Sequence, residues 1–388
     1  MTVKERPRVL HVTNWYPNAD NPAEGIFVEE QVRLFSQATD TRLICVQVRD
    51  GSHLLRIEQE ERDTGERILF VRTRISIWRI REWIGTLALV WVLISERVWR
   101  YDLLHVHIAY PLLAQYGIWG RFLRVPLLIS EHWSAYHRHF QRPQGDPKLD
   151  RIRRIFRRPI HVAVVSKALE RDIRNFSGSS SFHSHVLSNV MDMDTFAQVV
   201  PRQSDPEAPL ALFMINIWRK IKNPFPLFEA LAAWKAEGGR FTLRLGGYGP
   251  LVEDMKAAIA ALGLNDEVVF LGRLKKVEIA QELGRADFYL YSSNYETFSV
   301  ACAQALIAGV PLMGPPLDAV GEYAGEHEKL EVAENSALIW QAALRRASHT
   351  VFDRPAIAMR MQARFAHAQI LDDYMRVVAA ARAQGFVA

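Results

Sequence analysis

Short apolar runs alternate with helix-like stretches along this chain, and the alternation occurs twice. RVLHVT, RLICVQV, ILFVRT, LLHVHIA, PLLIS, HVAVVS and HVLSNV fill the first half, β-branched or Leu-rich and bounded by turn residues. Continuous apolar runs separated by helical patterns predict parallel strands buried on both faces. A polar, Pro-rich segment, PRQSDPEAP, follows from Pro201 to Pro209 and reads as a linker or surface loop. LALFMIN, FTLRLGG, EVVFLG, ADFYLYSS and VPLMG then restart the pattern with helices between them. The expected fold class is α/β, with two doubly wound domains at about residues 1–200 and 201–370 facing a central cleft. In such sheets ligands bind beyond the carboxyl ends of the strands, so residues just after strands are the candidates.

Composition removes several classes. The 388 residues are 49% hydrophobic and 23% charged, an ordinary globular balance. Cys45 and Cys302 both lie in apolar runs and read as reduced core thiols, too few for a disulfide framework or a zinc site. The amino terminus shows no secretory h-region, and the longest apolar stretch, Ile84 to Ile94, is too short to span a bilayer. A cytoplasmic location is expected, at most peripheral at the inner membrane face. The net charge is +5, and RTRISIWRIREW and RIRRIFRRPI hold nine arginines between them. Each segment reads either as a solvated face or as a match for an anionic membrane surface or phosphorylated substrates. Basic charge alone also admits nucleic acid, but no zinc-finger, RRM or KH pattern is present.

After the first strand, a loop carrying Gly25 opens an amphipathic helix, where backbone amides can approach an anion or simply turn the chain. PLLIS is followed by Glu131-His132-Trp133, which places an imidazole at a strand end. His105 and His107 of the preceding strand read as structural. Arg219, Lys220 and Lys222 cluster just before a helix that Asn223 would cap, with Pro224 in its first turn. That cluster is a phosphate site or a solvated turn. Gly246, Gly247 and Gly249 lie between strand and helix, without the spacing of a dinucleotide or Walker A loop. Gly272-Arg273 ends another strand, where a nucleobase could lie. SNYETFSVACAQALIAGVP puts Glu296 on a loop and Gln304 eight positions later on the next helix. Glu296 could accept from vicinal sugar hydroxyls, or be a helix-start charge; Gln304 could meet a ribose, or be an ordinary polar helix residue.

Taken in order, these segments resemble the family-4 retaining glycosyltransferases of the GT-B fold (glycosyl transferase group 1). NWYPNADNPAEGIFVEEQ, HVHIAYP, LISEHWSAY, VAVVSKAL, VLSNVMDMDTF, WRKIKNPFPLFEAL, LGGYGP, VVFLGRL and ADFYLYSSNYETF follow the family's order over nearly the whole chain. The resemblance implies two Rossmann-like domains, an acceptor domain first and a nucleotide-sugar domain second, with a C-terminal helix (about 370–388) packing back onto the first. It implies metal-independent transfer with retention, from a nucleotide diphosphate sugar to a glycan or lipid-linked acceptor in bacterial cell-surface polysaccharide synthesis. The donor is a substrate, and no cofactor is expected. His132, Glu296 and Lys222 correspond to the catalytic set: imidazole near the reacting sugar, acid holding sugar hydroxyls, lysine neutralising the diphosphate. Gly25, Arg219, Gly247, Arg273, Phe298, Ser299 and Gln304 correspond to the donor-binding set.

Three positions depart from the family pattern. Gln304 stands in place of the second acid of a Glu-x7-Glu motif, Ile217 in place of an arginine, and GPPLDAVGEYAGEHEKLEV lacks the usual glycine signals. These departures leave open a catalytically inactive binding or activating partner.

Overall fold

The computed structural model describes residues 6–18, 24–61, 66–137, 147–203, 205 and 207–387, with only the backbone of residues 78 and 79. Residues 19–23 of the first-strand loop, 204 and 206 of the Pro-rich segment, and the Trp78 and Arg79 side chains lie outside it. By its internal contacts the chain forms two units: Met1–Val190 with His367–Ala388, and Met191–Ala366.

The first unit begins with β1 (Arg8–Thr13), α1 (Ile26–Phe35), β2 (Asp40–Asp50), β3 (Arg56–Glu61), β4 (Glu66–Thr73) and α2 (Trp78–Ser95). It continues with β5 (Leu103–His107), α3 (Tyr116–Leu123), β6 (Leu127–Glu131), α4 (Pro147–Ile155), β7 (His161–Val164), α5 (Lys167–Ser177) and β8 (His183–Val186). The second unit holds α6 (Met193–Phe196), β9 (Leu210–Ile217), α7 (Phe225–Ala236), β10 (Phe241–Tyr248), α8 (Val252–Ala261), β11 (Val268–Gly272) and α9 (Lys276–Arg285). It ends with β12 (Phe288–Leu290), α10 (Val300–Ile307), β13 (Leu312–Gly314), α11 (Asp318–Gly321), β14 (Lys329–Glu331), α12 (Ala337–Ala347) and α13 (Arg354–Arg364). α14 (His367–Gln384) returns to the first unit.

The first sheet runs β3-β4-β2-β1-β5-β6-β7-β8, and the second β11-β10-β9-β12-β13-β14. Every pairing is parallel except β3 with β4. Strand order reverses between β1 and β5 in one sheet and between β9 and β12 in the other. Those switch points are where doubly wound sheets leave a crevice. The central strands are buried throughout because helices cover both faces: β5 and β6 expose no residue.

Handedness decides which helix lies where. α1 serves a connection running one way along the first sheet, and α2, α3, α4 and α5 serve connections running the other way. Right-handed crossovers therefore put α1 on one face and the other four opposite it. α14 shares α1's face. Its Tyr374 ring stacks on Phe35 at 3.6 Å, and Ile370, Val377, Val378 and Ala381 join a core with Val9, Leu103 and Leu128. The second unit has its own core around Trp218, Leu231, Leu243, Phe288 and Trp340.

Several expectations shift. β8 ends at Val186, so most of HVLSNV lies past the strand, with Leu187 and Val190 packed in the core. The Pro-rich segment lies inside the second unit, where the Arg202 amide donates to the Gly284 carbonyl (2.8 Å). Asn223 does not cap α7. It adopts φ 34°, and Pro224 takes the N-cap position. Cys45 and Cys302 are buried, and neither forms a disulfide among the described residues.

Candidate functional site

In the second unit, the loops after β9 and β12 lie together at the switch point. Lys222 ends a short 3-10 turn (Lys220–Lys222), and its Nζ pairs with Glu296 Oε1. Both side chains are 17% exposed, so the pair is reachable from solvent without being fully hydrated. Ser293 donates to the same carboxylate oxygen at 2.8 Å. Around the pair the backbone is tightly sewn. Ser292 Oγ donates to the Lys222 carbonyl (2.6 Å), and the Asn294 amide to the Ile221 carbonyl (2.9 Å). Asn335 Nδ2 donates to the carbonyls of Asn223 (3.2 Å) and Ser292 (3.0 Å), while Trp340 Nε1 donates to Asn335 Oδ1 (2.7 Å). Asn335 and Trp340 carried no sequence signal, because the residues they join lie far away along the chain.

The remaining second-unit candidates are held in different states. Arg219 is exposed and has no ion-pair partner among the described residues. Arg273 lies over the Tyr248 ring at 3.4 Å to the centroid, a cation–π contact that orients its planar head. Gly247 has φ 104°, and a Cβ there would stand 1.8 Å from the Asn216 carbonyl oxygen, so only glycine fits. Phe298 is buried against Tyr323 and Phe365, which makes it a support for the loop. Ser299 is left-handed (φ 68°) at the start of α10, and the Tyr323 hydroxyl lies 3.0 Å from its carbonyl. Gln304 is half-buried on α10, and its amide makes no hydrogen bond among the described residues. Ile217 is 44% exposed at the end of β9. Burial pushes the Cys302 thiol up to about 12, against a lowering bond from Ser299, so it is no nucleophile.

The first unit brings Gly25 and His132 into one neighbourhood. Gly25 opens α1 at φ 67°, and a Cβ would meet the Trp15 carbonyl oxygen at 2.3 Å. Two residues later Phe27 packs its ring on His132, 4.4 Å between centroids. His132 Nε2 is buried with no hydrogen-bond partner. Burial drives its pKa down to about 3, so the ring is neutral at ordinary pH. Glu131, wholly buried beside it, accepts from the Ala109 amide (2.8 Å) and the Tyr136 hydroxyl (2.8 Å), joining the loops after β5 and β6. Burial pushes its carboxyl up to about 7, and those bonds hold it down.

His105 and His107 lie wholly buried in the first sheet, and His11 joins them. The rings stack at 4.3 to 5.2 Å, and ligand atoms of the three lie within 4.8 Å of one another. Four of their six ring nitrogens are engaged, while His11 Nε2 and His107 Nδ1 are buried with no hydrogen-bond partner among the described residues. His11 Nδ1 bonds His107 Nε2 (2.9 Å), and His105 bonds Ser130 Oγ (2.7 Å) and Tyr374 (3.3 Å). A cation bound by all three would have to break such bonds.

A cavity of about 440 Å³ opens beyond β1 and β2, lined by Asn14, Gln47, Arg49, Arg81, Glu82 and Lys148 among others. Arginine, lysine, amide and carboxylate groups interleave there, with Leu89 and Pro111 as apolar wall. Mixed donors and acceptors over an apolar wall suit a polyhydroxyl ligand.

Two doubly wound α/β units, with charged and glycine-rich loops at the strand ends, define a GT-B protein. The chain belongs to the glycosyltransferases of family 4. Residues 32–195 match the description "Glycosyltransferase Family 4", and residues 197–349 match "Glycosyl transferases group 1". TuaC of Bacillus subtilis (strain 168), named as a teichuronic acid biosynthesis glycosyltransferase, is 22% identical over 373 residues, covering 90% of this chain and 92% of its own. Glycogen synthase of Mycobacterium tuberculosis (strain ATCC 25618 / H37Rv) is 25% identical over 303 residues, covering 76% and 70%. The crystal structure of Anabaena HepE with UDP and glucose superposes at a TM-score of 0.70 with 13% identity, covering 96% of this chain and all (100%) of that one.

Proposed function

We propose that this glycosyltransferase moves a sugar from a nucleotide diphosphate sugar to a glycan acceptor, with retention, in cell-surface polysaccharide synthesis. The carrying observation is the Lys222–Glu296 pair at the switch point of the second sheet. A cation and a carboxylate held together there can part around a ligand that offers each a better partner. The donor diphosphate would take Lys222, with Arg219 as a second cation, and release Glu296 to accept from sugar hydroxyls. The C1–O bond to phosphate breaks as the bond from C1 to the acceptor oxygen forms. The acceptor proton passes to the leaving diphosphate, whose growing charge Lys222 stabilises without a metal ion. Front-face attack accounts for retention without a covalent intermediate.

In the first unit, the unpartnered His132 Nε2 is neutral, and a sugar hydroxyl would satisfy it. The cavity at Asn14, Gln47 and Arg81 would take the acceptor. TuaC's name in teichuronic acid synthesis supports the polysaccharide reading, and the UDP and glucose in complex with HepE support the donor class. Incubation with a panel of UDP- and GDP-sugars tests the proposal. Nucleotide release with an acceptor, and a product keeping the donor's anomeric configuration by NMR, are expected.

A second reading rests on Gln304 and the exposed Ile217, which leave two donor contacts uncharged. An inactive binding partner would bind nucleotide in a thermal-shift assay and release none.

A further inference from the structure

α2 is apolar on two opposite sides. Ala88, Leu89, Val92 and Leu93 are buried and face the sheet. On the other side Ile80, Trp83 (48% exposed), Leu87 (64%), Trp91 (51%) and Ile94 (49%) stand in solvent. At 3.6 residues per turn these five fall within an arc of about 80° and a length of about 20 Å. Trp99, just past the helix, and Ile118 and Phe122 on α3 are also exposed, and handedness puts α3 on the same side of the sheet as α2. A soluble surface helix would be polar here. The five α2 side chains together present on the order of 500 Å² of apolar surface, as large as patches that mark interaction sites.

The charges around the stripe choose the partner. The two acids of the helix region are already neutralised: Glu82 by Arg151 and Lys148, Glu96 by Arg67 and Arg42. Arg97 and Arg100 at its carboxyl end, and Arg121 and Arg124 around α3, are exposed, with no ion pair among the described residues. A two-fold contact with a second copy would press this basic rim against its like. Tryptophans beside arginines on one apolar face instead match the interfacial zone of an anionic bilayer. Among the described residues no helix is long and apolar enough to cross a membrane, so the helix would lie in the surface plane.

We propose that the outer face of α2, with Arg97 and Arg100, docks this protein on an anionic lipid surface. The other side of the same helix lines the cavity of about 440 Å³ through Arg81, Glu82, Gly85, Thr86 and Leu89. Docking would thus hold that cavity about one helix diameter, roughly 10 Å, from the lipid surface. The proposal goes beyond the donor chemistry and stands without it, because lipid binding needs no nucleotide sugar.

Flotation with vesicles of phosphatidylcholine alone, or mixed with phosphatidylglycerol, tests it. The full chain should float with the anionic vesicles at low salt, and roughly tenfold less with neutral ones. The double variant Leu87→Asp/Trp91→Asp should lose roughly tenfold or more of that binding while melting as the wild type does. Arg97→Gln/Arg100→Gln, which leaves the stripe intact, should lose most of the salt dependence and serves if the first variant folds poorly. A wild type that stays with neither vesicle overturns the proposal, as do variants that float unchanged. It is equally overturned if light scattering shows a dimer that Leu87→Asp/Trp91→Asp makes monomeric while no vesicle binds.

Discussion

The strand ends of the two units carry opposite electrostatics. In the first, the titratable groups on β1 and β5 and at the end of β6 are buried and largely uncharged, apart from the charged cavity beyond β1 and β2. Burial holds His11 and His132 down to about 3, His105 and His107 well below their usual range, and Glu131 up at about 7. In the second, Lys222 and Glu296 form a partly buried ion pair still reachable from solvent, with Arg219 and Arg273 exposed. The folds are alike, so the difference lies in what surrounds each strand end. A charged, reachable set suits a diphosphate, which brings counter-charge with it. A dry, neutral set suits hydroxyl groups, which bring none. One architecture thus offers two chemistries through burial alone.

Breaking the charged side should have the largest effect. Glu296→Ala and Lys222→Met are each expected to lower turnover by roughly 10²- to 10³-fold, as removal of a charge stabiliser does. Steady-state kinetics with the identified donor read this, and a wild-type rate in Glu296→Ala would remove its assigned role. Next comes the backbone at Gly25. Gly25→Val drives a Cβ into the Trp15 carbonyl at left-handed φ and should lower the melting temperature by several degrees.

The neutral side is read by pH. The histidines have lowered folded pKa values, so the stability they contribute is present above about 6.5 and lost as pH falls toward about 3. Glu131 is raised, so its contribution is present below about 4.5 and lost as pH rises through about 7. Glu131→Gln keeps an acceptor for Ala109 and Tyr136 without the charge. Between about pH 5 and pH 8 the variant should lose less melting temperature than the wild type. Identical slopes would show that Glu131 is not held up by burial. Smaller still, Gln304→Glu should leave turnover within roughly tenfold of wild type, because either side chain can accept from a hydroxyl. A chelator should change the rate not at all, if cationic side chains alone meet the leaving charge.

Much of this was legible because parallel strands write themselves as unbroken apolar runs, and the residue after each run is a strand-end residue. That logic picked out Lys222 and Glu296 as strand-end candidates. It failed where partners are remote or polar. β3, RIEQEE, is an exposed antiparallel edge strand with no apolar run to betray it. Asn335, which sews Asn223 to Ser292, looks like any loop asparagine. Tyr374 reaches His105 from 269 residues away, so the stacked imidazoles could not be foreseen as one group. The apolar and basic character of α2 was visible, but not which apolar residues the sheet would leave outside.

The central claim is that Lys222 and Glu296 form a receptor for a nucleotide diphosphate sugar. Isothermal titration of the wild type and of Lys222→Met with UDP, GDP and their sugar conjugates tests it most directly. One nucleotide family should bind the wild type, and Lys222→Met should weaken that binding by roughly tenfold or more, the loss of one charge-assisted contact to phosphate. A wild type that binds none of them, or a variant that binds equally well, would contradict the account.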